Sequence, residues 1–441
     1  MDHKTNKYTI KLINFLNDNF RSYYDLIDCE NNKIISLIRD TYNKASVDEI
    51  SLKKSEKIKK IHEYNDKPLI YLIMVKLLND GLLNKTHKPV TTNFKKFVDW
   101  YRENHSLLDL KRYLRGDKKY NTYYGLLYNP PANRKELHSL LYDNMFVSLD
   151  VLHHAESENL NYSLYENDNT EVHLYVPEND ENPDINVILK IFSFFRALTN
   201  DKDKFIKLVV FYGNQKKYLP MNSSVICPDN VNSGATMKGV IITIWRREEF
   251  YKVLIHELVH YFDLDFYVTD SIYKKLDKYT QDNVTIKGID RVNESYAEIL
   301  AVTIHSVIYS VIMNISVDKI LSTEMLYSCL QFAKIFNFFG YDDCNMENKR
   351  INVHQTTSVW SYYIIKCMFL LNYDKILKFW EENGFSILND FNSENNYEKT
   401  YKSIYLNSSH INKINGIIKS IKDNKSGFAA NTMRMTLYQL Q

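Results

Sequence analysis

Glycine and proline are scarce: the 441 residues hold 11 Gly and 8 Pro. So few breakers favour long helices with few tight turns. Cysteine is sparse as well. Cys29, Cys227, Cys329, Cys344 and Cys367 are scattered, odd in number and form no CxxC pair. That excludes a disulfide framework and a thiolate zinc site, and it predicts reduced thiols in a cytoplasmic setting. Neither sign of charge dominates, and the formal net charge is +2. No global field directs the chain to nucleic acid or to an anionic membrane. Long apolar runs are missing too. The most apolar, PLIYLIMVKLL (68–78), is too short to span a bilayer and contains Lys76, so a buried helix is expected and no membrane partner. The opening stretch MDHKTNKYTIKLINF lacks the apolar core of a signal peptide.

What is present is an ordinary globular balance, 44% hydrophobic and 25% charged. A chain of this length buries one sizeable core or two or three small ones. Tyrosine reaches 34 residues, and Asn, Ile and Lys are also frequent. That bias looks like AT-rich coding, and it makes any single tyrosine weak evidence of a role.

Up to about residue 145 the periodicity is helical, in YTIKLINFLNDNF, in 68–83 and in TNFKKFVDWYRENHSLLDLKRYL. NPPANRKELHSLL (129–141) reads as a turn and a helix start, and KKSEKIKK (53–60) as a solvated helix face. The segments 156–171 and 177–184 are polar and turn-rich, and they bracket a short strand, VHLYV (172–176). A helix (185–198), a strand (205–213), a loop (227–237) and a second strand, GVIITIW (239–245), follow. From near Arg247 a helix begins, and past residue 290 the pattern is almost wholly helical. The expected class is α+β and predominantly helical, with a small sheet and one active-site helix. The expected division is a helical N-terminal region (1–150), a core (151–310) and a helical C-terminal subdomain closing the cleft (311–441).

The chemistry concentrates in HELVH (256–260). His256 and His260 are four apart, so a helix stacks their rings on one face. That spacing suits two imidazoles of a tetrahedral zinc ion. Glu257, on the edge of the same face, is placed to take a proton from water. The bland alternative is a buried helix with two surface histidines. A catalytic zinc needs a third protein ligand, and NESYAE (293–298) offers Glu294 and Glu298, again one turn apart. Glu294 suits the ligand, with Glu298 holding an imidazole N–H. A solvated acidic face is the alternative. The other histidines lack metal spacing: the pair in LHHAESE (152–158) is adjacent, and His305 sits on an apolar stretch.

HELVH followed by NESYAE resembles the gluzincin metallopeptidases. The resemblance implies a zincin-like core, a Zn2+ cofactor, and His256, His260 and Glu294 as its ligands. It implies Glu257 as general base and Glu298 as hydrogen-bond partner of a ligand. The gap between the motifs exceeds that of thermolysin, which leaves Glu298 as an alternative ligand. Asn293, preceding Glu294 as in the family, favours Glu294. Across roughly 205–440, NVNSGATMKGVIITIWRREEFYKVLIHELVHYFDLDF, HQTTSVWSYYIIK and MRMTLYQL also look like uncharacterised metallopeptidase-like proteins of large nucleocytoplasmic DNA viruses.

An edge strand that pairs with substrate is expected in GVIITIW, with Asn232, Ser233 and Gly234 shaping the cleft. The candidate donors for a developing oxyanion are His354 and Tyr362 or Tyr363. Thr357 or Ser358 is the candidate helix cap. Arg434 is a candidate grip on a substrate carboxylate, with an internal salt bridge as the alternative. The expected function is zinc-dependent hydrolysis of a peptide or protein substrate in the host cytosol or virion. Hydrolysis of a non-peptide amide shares that chemistry. The rival reading is a non-catalytic virion or host-interaction protein built on the same scaffold.

Overall fold

The computed structural model describes residues 6–60, scattered positions from 137 to 155, and 158–440 apart from 221–222, 267–270, 347–350, 386–390 and 424–427. The helices expected over 68–83 and 92–114, and the turn at 129, lie outside the described residues. The fold is α+β and predominantly helical.

Helix α1 (Lys7–Phe20) starts where the Asn6 side chain accepts from Tyr8 N, and it buries Leu12, Leu16 and Phe20 at helical spacing. Helix α2 (Lys33–Lys44) repeats the device, with Asn32 accepting from Ile34 N. Strand β1 (Ser51–Ile58) then pairs antiparallel with β2 (Leu160–Asn167). Two expectations change here. KKSEKIKK is part of a strand rather than a helix face, and the polar 156–171 stretch contains β2. β1 is the outer strand of the sheet, and only Ile58 is buried. A charged, solvated edge has no apolar alternation to betray it, and lysines there discourage pairing with other chains.

Six strands form the main sheet in the order β1-β2-β3-β4-β6-β5. β3 (Thr170–Pro177) runs antiparallel to β2 and parallel to β4 (Ile206–Phe211), with α3 (Ile185–Thr199) as the connection. β4 is parallel to β6 (Ile241–Ile244), and β6 is antiparallel to β5 (Gly234–Met237). The register aligns Val172 with Leu208 and Leu208 with Ile242, and likewise Leu174 with Val210 and Val210 with Ile244. All six side chains join one buried cluster, which fixes which face of each strand looks inward.

That cluster accepts α4 (Phe250–Tyr261), which packs against β5 and β6. After α5 (Ser271–Asn283) and β7 (Val284–Gly288), α6 (Asn293–Met313) returns onto α4, and α7 (Val317–Phe338) packs on α6. α6 is the one described helix long and apolar enough to cross a membrane. Here it is a core helix, with every residue from Asn293 to Ser310 buried by protein. Among the described residues the C-terminal part is mostly helical, with β8 (Ile351–Gln355) pairing parallel with β7 and the last stretch, 432–440, outside any helix. A π-helical turn (Trp360–Ile365) leads into a short helix, and α8 (Tyr373–Asn383), α9 (Phe391–Ser403) and α10 (Ser408–Asp423) follow. Residues from all three expected regions, such as Leu12, Leu258 and Leu437, share the one apolar cluster.

Candidate metal centre

α4 is buried almost all round, because the sheet covers one side and α6 the other. Only His260 among its residues is half-exposed. α6 begins at Asn293, so Glu294 lies in its first turn, facing α4. His256 Nε2 and His260 Nε2 are 3.0 Å apart. Each lies 3.3 Å from Glu294 Oε2. A tetrahedral zinc ion with bonds of about 2.0–2.1 Å places its ligand atoms roughly 3.3–3.4 Å from one another. Two edges of the triangle match those of such a site, and the imidazole–imidazole edge is about 0.3 Å shorter.

The opposite ring nitrogens explain which atoms are free to bind. His256 Nδ1 lies 2.9 Å from Glu298 Oε1. His260 Nδ1 lies 2.9 Å from Asp265 Oδ2, which also accepts from Asn293 Nδ2 at 2.9 Å. Carboxylates beside both Nδ1 atoms favour the proton there, through a hydrogen bond at His260 and through proximity alone at His256, and so turn the Nε2 lone pairs toward the shared centre. Glu294 Oε2 is buried and receives no hydrogen bond. Three electron-pair donors thus converge, an arrangement that repels itself without a cation between them. Two neutral imidazoles and a carboxylate are a zinc donor set. The residues fit the metal.

Without a metal the same atoms compete for protons. Burial alone would depress His256, but the Glu294 and Glu298 carboxylates raise its pKa. Burial also opposes charging of His260, yet Asp265 and Glu294 hold its pKa well above the usual imidazole value. Burial would raise Glu294, and the imidazoles instead hold it well below the carboxylate range. Glu298 is lowered too, against burial, chiefly by the buried Lys252 ammonium paired with it.

Glu257 points into the same cleft. Burial raises its pKa, with His256 and His260 opposing. Thr236 Oγ1 donates to its Oε2 at 2.8 Å. Gly234 lies so close that a Cβ there would sit 2.7 Å from Glu257 Oε1. The glycine is required by this approach. Tyr362 stands on the π-helical turn, with its ring 6.2 Å from that of His256. Burial, then Glu294 and Glu257, push its phenol well above the ordinary value, so it stays a donor.

The cleft has a volume of about 200 Å³. It brings together His256, Glu257, His260, Glu294, Tyr362, Asn232 and Gly234. Asn232 Oδ1 accepts from Thr357 Oγ1 at 2.8 Å. Other sequence candidates fall elsewhere. His354 is on β8 and is not among the cleft-lining residues. Tyr363 donates to Met433 O at 2.6 Å, deep in the core. Neither Thr357 nor Ser358 caps the helix with its side chain, since Ser358 Oγ accepts from Arg291 N at 3.0 Å.

Two corrections concern substrate contacts. Arg434 is fully buried and donates to Leu437 O at 3.2 Å, behind the site among Glu249, Lys217 and Tyr327. It is an internal cation and does not reach the cleft. The edge strand is β5, not GVIITIW, whose β6 is enclosed between β4 and β5. Its β-branched content reflects that interior position.

Sequence reasoning missed Asp265, Thr236, Arg291 and Lys252. Lys252 was legible as the first member of a 252, 256, 260 stripe one turn apart. Asp265 was not, because it depends on how α4 ends. Asp263 adopts φ 60°, and Leu264 N donates back to Val259 O at 3.0 Å. This left-handed stop curls the chain under His260.

No protein-family model matches the chain, and no solved structure does. It is similar to an uncharacterised protein of Acanthamoeba polyphaga mimivirus, 26% identical over 216 residues. The match covers 46% of this chain and 53% of that protein, so the chain spans about half the length of that relative.

Proposed function

We propose that the chain is a zinc-dependent peptidase of gluzincin type. His256, His260 and Glu294 hold the metal, and Glu257 is the general base. The observation that carries this reading is the convergence of His256 Nε2, His260 Nε2 and Glu294 Oε2 beside Glu257 in one cleft. Zinc, when bound, supplies Lewis acidity toward a scissile carbonyl and water. Everything else falls to the chain. Glu257, raised by burial and oriented by Thr236, accepts a proton from the attacking water and returns it to the leaving amine. Tyr362 donates to the oxyanion that develops on the carbonyl. The outer edge of β5, beside Asn232 and Gly234, pairs with an extended substrate backbone. Glu298 and Asp265 orient the imidazoles.

The rival, a binding protein on the same scaffold, has no use for a buried base at the cleft. The likeness to a mimivirus protein and five cysteines outside any disulfide support a viral chain that works in the host cytosol or the virion. The test is Glu257→Gln. The amide keeps the shape but cannot take the proton, so zinc and fold persist while hydrolysis falls about 10²- to 10⁴-fold. Wild-type turnover by the purified variant discards the mechanism.

A further inference from the structure

The charged side chains around the cleft are nearly all committed to one another. The two histidines, Glu294 and Asp265 form one cluster, Glu257 is held by Thr236, and Lys238 is paired with Asp263. Arg291 is the exception. It lines the cleft and is exposed, and its guanidinium has no carboxylate partner among the described residues. The adjacent Asp290 does not serve it. Asp290 Oδ1 accepts from Gln355 Nε2 at 3.1 Å, and Oδ2 accepts from Ser361 Oγ at 3.0 Å. The backbone under Arg291 is fixed, because its N–H donates to Ser358 Oγ. The cation is therefore held three residues ahead of the ligand Glu294 and near Tyr362, whose phenol feels its charge.

Resting on the peptidase reading, we propose that Arg291 binds a carboxylate of the substrate close to the scissile bond, and so selects peptides that carry one there. A guanidinium grips a carboxylate with two parallel hydrogen bonds, and a ligand anion offsets a cation left free beside the metal ligands. The cleft, at about 200 Å³, is smaller than the roughly 300–1,000 Å³ of common small-molecule pockets. Arg291 and the metal ligands line this one small space, so the recognised carboxylate lies within about two residues of the cleaved bond. Two sources share this chemistry, the C-terminal carboxylate and an Asp or Glu side chain. Arg291 thereby takes the role that the buried Arg434 cannot perform.

The experiment is calorimetric binding of four short peptides to the full-length, zinc-loaded Glu257→Gln chain, with and without Arg291→Gln. Two peptides are an alanine tetrapeptide as free acid and as C-terminal amide. The other two are end-blocked and carry either Asp or Asn. The expected result is binding about 10- to 100-fold tighter for one carboxylate peptide than for its neutral twin. Arg291→Gln should remove that preference and leave zinc content and neutral-peptide binding unchanged. Preference for the free acid identifies the chain terminus as the source, and preference for Asp over Asn identifies a side chain. Equal binding of acid and neutral peptides, a preference that survives Arg291→Gln, or no binding at all overturns the proposal. The reaction is tested separately with the zinc-loaded wild type. Hydrolysis of all four at equal rates keeps the peptidase and refutes carboxylate selection. Arg291-dependent binding without any hydrolysis does the opposite.

Discussion

Gly234→Ala puts the position of the base to a quantitative test. An alanine Cβ would stand 2.7 Å from Glu257 Oε1, 2.9 Å from Val253 Cγ1 and 3.0 Å from Glu257 Cγ, where ordinary contacts begin at 3.4 Å. Strand β5 cannot easily retreat, because Gly234 is paired with Ile244 and Ser233 O accepts from Trp245 N at 2.9 Å. The Glu257 carboxylate must therefore yield by about 0.7 Å. A misplacement of about 1 Å costs on the order of 10²-fold in rate, so kcat/KM should fall about 10- to 100-fold, or about 1.4–2.7 kcal/mol of transition-state stabilisation. Overpacking beside Val253 should also cost about 1–3 kcal/mol of stability. The proposed metal ligands are not touched, so zinc per chain should be unchanged. The assays are peptide hydrolysis, metal content and denaturant unfolding on one preparation. Wild-type kcat/KM with zinc in place would refute the reasoning, because the carboxylate would then have been free to sit anywhere.

Zinc affinity should rank the acidic residues. Glu294→Ala, which removes a ligand, should weaken binding by more than the roughly 10- to 100-fold expected of Glu298→Gln or Asp265→Asn, which only loosen an imidazole. Competition with a chromophoric chelator reads this order, and a reversed order makes Glu298 the ligand. Asp290 gives a pH signature away from the metal. Burial pushes its carboxyl up to about 7 from an ordinary 3.8. A raised acid favours the neutral form in the fold, so its contribution is full below about pH 4 and is lost as pH rises to about 7. Asp290→Asn should flatten that decline and match or exceed wild-type stability at pH 8. Denaturant unfolding at pH 5, 6 and 8 checks it, and a variant that loses stability only at pH 8 contradicts the sign.

The candidate site was legible where its residues are written along a single helix. HELVH and NESYAE announce their own periodicity, and α4 and α6 bring the two motifs face to face. Helices with apolar stripes, such as α1 and α3, were legible for the same reason. β1 and β2 were not, because their strand character comes from pairing with each other and with β3, and not from an alternation in their own polar sequences. The choice between Tyr362 and Tyr363 turns on a π-helical turn that no spacing rule announces. For Arg434 the sequence left a carboxylate grip and an internal salt bridge both open. In the fold it is buried among Glu249 and Tyr327, and that burial is visible only once residues about 185 positions apart are brought together.

The most direct test of the account is the metal itself. The purified chain, stripped with a chelator, reloaded with zinc and passed through a desalting column, should retain one zinc per chain by elemental analysis. His256→Ala combined with His260→Ala, which removes two of the three converging donors, should retain none while keeping its helical circular dichroism. A wild-type chain that keeps no zinc, or a double variant that keeps as much as the wild type, would contradict the claim that these atoms form a metal centre.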